Sequence, residues 1–440
     1  MNLSKFFHSI KIKDDLYAIY NALLMEVLYV NYDELKQIES CDITDEGTIS
    51  ALKQAGIWIT DSSTDEKALA TLKKQCESTL GIIDIMYLIT TQKCNLKCSY
   101  CFLENNPHRN QSQNYMSADC SKKAIKSFAK LILSEGREKG TIVFYGGEPL
   151  LNKELFFESV LYALEFPVEW DFSIITNGTL LDEKTVEFCK EHHITVGLSI
   201  DGPKNIHDKN RKYRNESRSS YDECMASKLL LERIGCNYGL SMTLSQDVID
   251  NKSDVLNWLF DNHRGDVFFN LLHFTSEDEF DDSYIKSATQ FMIDFYNLNE
   301  SKGFVMHEGR IQRQIDSFIN QKFVFSDCGA VGCHQITVLP DGNLCICHGD
   351  SVDKKLFLGN LDNIEFDSVS DSIQGKKWTT YSTLNDEECL NCPAIYICGR
   401  GCPQHAENVF GDRSHKEPNY CYYIKEMLFW LLSRGSNHYD

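Results

Sequence analysis

The run Ile83-Asp-Ile-Met-Tyr-Leu-Ile-Thr90, followed almost at once by Cys94-Asn-Leu-Lys-Cys98-Ser-Tyr-Cys101, decides how the rest of the chain is read. The first half is an apolar, β-branched stretch of strand length. The second half sets three thiols on one tight loop. Three thiolates hold three irons of a [4Fe–4S] cluster, and the missing fourth leaves one iron open for chemistry. A zinc loop is the competing reading, but structural zinc wants two ligand pairs and no fourth ligand lies nearby in sequence.

Outward from this loop, strand and helix patterns alternate up to about residue 272. Strands are predicted over 83–90, 141–145, 172–176, 196–200, 238–244 and 267–272, with helices between them, for instance over 118–134 and 183–193. Repeated βα units imply an α/β fold with a parallel sheet, here curved into a partial (β/α)6 barrel. Chemistry in such folds gathers at the C-terminal ends of the strands, where the cysteine loop falls. Upstream, residues 9–12, 16–20 and 27–30 read as strands, 32–38 and 48–54 as helices, and 57–60 as another strand. This order suggests a three-stranded meander followed by a winged-helix-like unit. Downstream, a helical connection over 287–321 leads to a cysteine-dense tail with one final helix near 420–433. A tail so poor in long apolar runs needs metal to hold it together. The expected division is 1–80, 81–300, a connecting helix over 301–325, and 326–440.

Length and charge narrow the partners. A chain of 440 residues is too long for one ordinary domain. Its 44 basic and 64 acidic residues give a formal charge of -20, which disfavours a nucleic-acid substrate. The first 15 residues lack the apolar core of a signal peptide, and the apolar stretch 427–432 is too short to span a bilayer. A cytoplasmic, membrane-free protein is expected. Eighteen cysteines in a reducing compartment then argue for ligation over disulfides.

The three-cysteine loop, with Tyr100 before its last cysteine, resembles the signature of the radical SAM superfamily. That resemblance implies that Cys94, Cys98 and Cys101 hold a [4Fe–4S] cluster whose open iron is chelated by S-adenosylmethionine (SAM). An electron from the cluster would release methionine and a 5′-deoxyadenosyl radical that takes hydrogen from the substrate. Gly146-Gly147-Glu148-Pro149 resembles the family's motif for the SAM amino group. Paired glycines let the backbone approach a ligand, and a carboxylate suits an ammonium; alone, such a sequence is more often a plain turn. Thr176-Asn177-Gly178 and Ser199-Ile200-Asp201-Gly202 resemble segments near the ribose and carboxylate of SAM, and Arg211 is a further carboxylate contact. The SAM contacts so implied are Tyr100, Gly146, Gly147, Glu148, Asn177, Ser199 and Arg211. The bland alternatives are strand-end turn residues for Asn177 and Ser199 and a solvated charge for Arg211.

In the tail, Cys389-x2-Cys392-x5-Cys398-x3-Cys402 and then Cys421 follow Cys328, Cys333 and Cys347, with an Asp341-Gly342 turn among them. This resembles the SPASM domain of radical SAM enzymes that modify peptides and proteins. Eight cysteines suffice for two fully ligated clusters, making three [4Fe–4S] clusters in all, with two zinc sites as the competing reading. By resemblance, Cys328, Cys333, Cys347 and Cys402 hold the first auxiliary cluster, and Cys389, Cys392, Cys398 and Cys421 the second. Fully ligated clusters suit electron transfer from the substrate radical. The other seven cysteines read as small buried apolar residues, with Cys345 placed to face the same way as Cys347.

The N-terminal order of elements resembles the precursor-recognition element of peptide maturases, which binds a leader peptide as an added strand, here at 27–30. An accessory domain that only packs on the barrel is the alternative. The implied function is oxidative modification of a ribosomally made precursor peptide, by a thioether or a carbon–carbon crosslink. Its partners would be that peptide with its leader and a one-electron reductant of flavodoxin or ferredoxin type; no catalytic base is assigned. Anaerobic sulfatase-maturing enzymes share the barrel motifs and the tail but generally lack the N-terminal unit. They carry an aspartate base where this chain has His348, with Asp350 two residues on, and His348 is expected to be an exposed loop histidine. Sulfatase maturation and a non-catalytic iron–sulfur protein remain the rival functions.

Overall fold

A computed structural model describes residues 1–105, 115–214, 218–274 and 282–436. In the N-terminal unit, β1 (Asn2–Leu3), β2 (Phe7–Lys13), β3 (Leu16–Asn21), β4 (Leu28–Val30) and β5 (Trp58–Ile59) form two small sheets. One is the expected antiparallel meander β2-β3-β4, with β4 at an edge; the other pairs β1 with β5. The helix Tyr32–Glu39 begins at an Asn31/Glu34 capping box, and Glu46–Gln54 at Asp45, whose carboxylate accepts from the Thr48 N–H. Ile19, Leu35, Ile38, Leu52, Ile57 and Trp58 close a separate small core. A further helix, Ser63–Glu77, is absent from the sequence reading. Its buried stripe is thin, carried by the partly buried Ala68, Leu69, Leu72 and Cys76, so the hydrophobic period is faint.

The remaining strands are β6 (Ile85–Thr91), β7 (Leu96–Cys98), β8 (Lys139–Gly146), β9 (Glu169–Thr176), β10 (Thr195–Ser199) and β11 (Arg211–Tyr213), followed by β12 (Tyr238–Thr243), β13 (Gly265–Asn270), β14 (Met306–Glu308), β15 (Gln335–Val338), β16 (Asn343–Cys345) and β17 (Gly359–Asn360). The six strands expected from the sequence are β6, β8, β9, β10, β12 and β13, parallel and adjacent in that order. The sheet does not stop there. β14 continues it parallel to β13, and on the other flank β15 lies parallel to β6, followed by antiparallel β16 and β17. The cysteine-rich tail therefore starts as an extension of the barrel sheet. Both additions are short strands without a run of their own for sequence reading to detect.

Helices cover this sheet in the usual way. Ala118–Ser134 starts at Ser117, which accepts from the Cys120 N–H, and buries Ala124, Ile125, Phe128, Ala129, Leu131 and Ile132. A fully buried phenylalanine such as Phe128 contributes about 1.5–3 kcal/mol. The N-terminal unit packs on the tail: the Tyr20 hydroxyl donates to Pro393 O (3.1 Å), and the Tyr29 hydroxyl to Leu432 O (2.7 Å). Among the described residues, no helix is long and apolar enough to cross a membrane.

Where β6 and β8 end, their loops touch backbone to backbone. Gly147 N–H donates to Thr91 O (2.9 Å), and Glu148 N–H to Lys93 O (2.8 Å). A Cβ on Gly147 would stand 2.2 Å from Lys93 O, and one on Gly146, at φ +142°, 2.1 Å from Thr91 O. Only glycine lets the two chains approach so closely. Gly147→Ala should therefore cost about 2–4 kcal/mol, read as a lowered Tm in calorimetry. Gly136→Ala, at φ +68° with nothing within 4 Å, should cost only about 1 kcal/mol.

Candidate active site

The cysteine loop is held as a strand ribbon. β7 pairs antiparallel with β11, with Cys98 opposite Arg211 and Leu96 opposite Tyr213. Ser99 extends the ribbon, its N–H donating to Asn210 O and its hydroxyl to Asn210 Oδ1, both at 2.9 Å. Beneath lies a buried carboxylate. Asp201, at the end of β10, takes two bonds from Arg211, Nε to Oδ2 at 2.9 Å and Nη2 to Oδ1 at 3.1 Å. The Tyr100 hydroxyl donates to the same Oδ2, and Thr243 N–H to Oδ1 at 3.1 Å. Burial opposes ionisation of Asp201, but Arg211 outweighs it and holds the carboxyl below its usual range. Arg211 is thus no solvated charge: its guanidinium is spent on Asp201 and lies under the Tyr100 ring.

The Gly-Gly-Glu-Pro turn and the Asn177 turn meet behind Cys94. Glu148 is fully buried; Thr176 Oγ1 donates to its Oε1 (2.7 Å), Leu150 N–H to Oε1 (3.0 Å) and Asn177 N–H to Oε2 (2.8 Å). Asn177 Nδ2 reaches Asn95 Oδ1 at 2.9 Å and Cys94 Sγ at 3.8 Å. Asn95 in turn donates to Thr179 Oγ1 at 2.8 Å. Ser199 sits half-buried at the end of β10, its carbonyl accepting from Cys224 Sγ at 3.5 Å. Tyr100, Gly146, Gly147, Glu148, Asn177, Ser199 and Arg211 thus all stand at the C-terminal edge of the sheet around the three cysteines. Asn95 and the role of Asp201 are not read from sequence, although Asp201 lies inside a motif it singles out.

The thiols suit cluster iron by their chemistry. Burial, then Glu148, with Cys98 and Cys101 behind it, pushes the Cys94 thiol up to about 12. A thiolate there is favoured only by a cation that outweighs these neighbours, which bound iron supplies. In the tail, burial raises Cys398 well above the usual thiol range, with Cys421, Cys392 and Cys389 adding to it, so those four stand together. Cys402 is raised in the same way by burial and Glu417, then by Cys347 and Cys328. The fourth member of that set, Cys333, is fully buried and its thiol points to Gly375 O at 3.4 Å. Cys345 packs with Ile89 and Leu339 in a small apolar cluster. Among the described residues, no three His, Cys, Asp or Glu side chains converge on the spacing of a single metal ion.

Between the two cysteine groups lies an aromatic box. The His348 ring is 5.0 Å from that of Tyr87, 4.8 Å from Tyr145 and 6.1 Å from Phe102. This corrects the expectation of an exposed loop histidine. Burial lowers it to about 4, so it is neutral near pH 7, and its Nδ1 has no hydrogen-bond partner. Tyr145 also senses Cys101 and Cys347, which puts the box beside both cysteine groups. The strand residues Tyr87 and Tyr145 carried no signal beyond ordinary apolar periodicity.

A profile of the Radical SAM superfamily matches residues 88–230. The radical SAM cyclopropyl synthase TigE of Paramaledivibacter caminithermalis is 24% identical over 99% of this chain and 94% of its own length. The cysteine-type anaerobic sulfatase-maturating enzyme of Clostridium perfringens is 25% identical over 78% of this chain and 95% of its own. Among solved structures, native anSMEcpe with bound AdoMet has a TM-score of 0.69 at 22% identity, covering 80% of this chain and 98% of that one. Streptococcus suis SuiB bound to precursor peptide SuiA has a TM-score of 0.57 at 13% identity, covering 96% and 99%. These two likenesses establish the fold.

Glu148 gives the site a pH signature. Burial drives its carboxyl from 4.5 to about 7, against its hydrogen bonds from Asn177, Thr176 and Leu150. Between these values the unfolded chain has lost the proton that the folded one keeps. Stability therefore falls as pH rises from about 4.5 to 7, by about 3 kcal/mol, and stays lower above it. The Tm of Glu148→Gln relative to wild type should climb across that window under anaerobic conditions; a constant difference would contradict the assignment.

Proposed function

We propose that this chain, which carries a radical SAM domain over residues 88–230, is a radical SAM enzyme that oxidatively modifies a ribosomally made precursor peptide. In this reading Cys94, Cys98 and Cys101 hold the SAM-cleaving cluster. Tyr100, Gly146, Gly147, Glu148, Asn177, Ser199 and Arg211 line the SAM site, with Arg211 acting through Asp201 and Tyr100 to fix the loop. Bound there, the cluster and SAM would supply a carbon-centred radical. Cys328, Cys333, Cys347 and Cys402, and then Cys389, Cys392, Cys398 and Cys421, would hold two auxiliary clusters, which would supply an acceptor for the substrate's electron. Of the expected division, residues 1–80 would serve leader recognition, 81–300 catalysis and 326–440 electron transfer; residues 301–325, expected as a connecting helix, instead carry β14 of the barrel sheet and the helix Gly309–Asn320.

The observation that carries this reading is the N-terminal unit. Its meander ends in the edge strand β4, followed by a capped helix, an arrangement suited to receiving a leader peptide as a further strand. The cyclopropyl synthase aligns with 99% of this chain, whereas the sulfatase-maturating relative aligns with 78%. The unaligned fifth is about the size of that unit. A cyclopropyl ring closes by a carbon–carbon bond, so that bond is the first product to seek, with a thioether second. Sulfatase maturation is the second reading, favoured by the likeness to anSMEcpe. It predicts formylglycine on a sulfatase-motif peptide.

Co-expression under anaerobic conditions with the short reading frame beside the gene should yield a peptide lighter by two hydrogens. The change should vanish when Cys94, Cys98 and Cys101 are replaced by alanine, together with 5′-deoxyadenosine production. An unaltered peptide mass with SAM still cleaved would redirect the search to sulfatases.

A further inference from the structure

Beyond β13 lies a half-open polar cavity of about 70 Å³, lined by Asn270, His273, Arg310, Asp327, Glu417 and Tyr420, with Cys402 of the first auxiliary set at its wall. Its charged groups are almost all committed. Asp327 Oδ1 takes Arg313 and the Tyr420 hydroxyl, the latter at 2.9 Å. Glu417 takes His405 Nδ1 at 2.7 Å and the Cys402 N–H at 2.8 Å. His405 Nε2 accepts from the Phe274 N–H at 2.9 Å, which fixes its proton on Nδ1. Glu308 caps the helix Gly309–Asn320, accepting from Ile311 N–H at 2.7 Å. His273 stacks on His405 at 4.6 Å and is held neutral by burial, with His405 adding to the effect.

Arg310 is the exception. It is the second residue of that helix and its guanidinium lines the cavity; among the described residues that guanidinium makes no hydrogen bond and no ion pair within 4 Å, and Asp327 and Glu308 stabilise its charge only from farther off. A guanidinium taken from bulk water without a partner is costly, and its planar fork matches one ligand best, a carboxylate bound by two N–H groups. The volume suits it, since a water's share of liquid is about 30 Å³ and a carboxylate takes the space of about two. The place suits a substrate anchor as well. Asn270 ends β13 at the same edge of the sheet as the cysteine loop, and His273 senses His348 in the aromatic box.

We propose that Arg310 binds a carboxylate of the substrate peptide in this cavity, anchoring the peptide beside the residue that reacts. The carboxylate is an acidic side chain or the peptide's C-terminus, and the inference rests on the peptide-modifying reading above.

Bromide serves as the first probe. Crystals of the reconstituted enzyme soaked in bromide should show an anomalous peak within hydrogen-bond distance of the Arg310 guanidinium, and Arg310→Gln should lose it. A bare guanidinium in wild type would overturn the proposal. With the precursor peptide from the neighbouring reading frame, Arg310→Gln should raise KM roughly ten- to a hundredfold, with Arg310→Lys between it and wild type. Peptides with one acid replaced by its amide, or with an amidated C-terminus, identify the source. The matching peptide should lose as much on wild type and nothing further on Arg310→Gln. An unchanged KM in Arg310→Gln would count against the anchor. A peptide left unmodified by wild type would sink the functional reading, while the bromide result would still decide whether Arg310 is an anion site.

Discussion

The buried pair of Asp201 and Arg211 is the constraint on which the site's geometry depends. Asp201 stands at the end of a barrel strand, and Arg211 starts the short strand that pairs with the cysteine loop. Through Tyr100, the same carboxylate also grips the loop directly. The loop is mostly polar residues and thiols, and Leu96 is its one fully buried apolar side chain. Its position is set by this pair and by the ribbon. Pairing two charges in the interior stabilises little by itself, because desolvation offsets most of the attraction. Its value lies in direction, since a bidentate fork permits one arrangement of strand, loop and ring.

The second consequence of the fold is that the tail is not an appendage. β15 runs parallel to β6 in register from Gln335 opposite Ile85 to Val338 opposite Leu88. The strand that delivers the cysteine loop is therefore flanked on one side by β8, with its glycine turn, and on the other by the start of the tail. Cys347 follows β16 by two residues, so backbone hydrogen bonds set the spacing between the two cysteine groups. His348 and its aromatic neighbours fill the gap.

Much of this was legible in the sequence because the signals were local. The six barrel strands are strong β-branched or aromatic runs, and the meander at residues 7–30 alternates between turns. The cysteine spacings mark the loop; in the tail Cys398 has Cys389, Cys392 and Cys421 as neighbours, Cys402 has Cys328 and Cys347, and Cys333 points to Gly375 O instead. What escaped was long-range. β14, β15 and the β7–β11 ribbon are strands of three or four residues that exist only through their partners. The burial of His348 depends on Tyr87 and Tyr145, more than two hundred residues away in sequence, and no local pattern marks it. For the same reason sequence left Arg211 between a SAM carboxylate contact and a solvated charge, since its partner Asp201 comes to it through a turn and a short helix.

The two tyrosines that bolt the N-terminal sheet to the tail bear on something larger than stability. Tyr20 and Tyr29 tie that sheet by hydrogen bonds to Pro393 and Leu432, which seats its edge against the tail. A peptide held at β4 would be tethered at a fixed distance from the place where hydrogen is removed. The number of residues between its leader and its target, more than the identity of the side chains there, would then select which position reacts. The protein would work as a ruler, and lengthening the spacer would move the mark along the peptide.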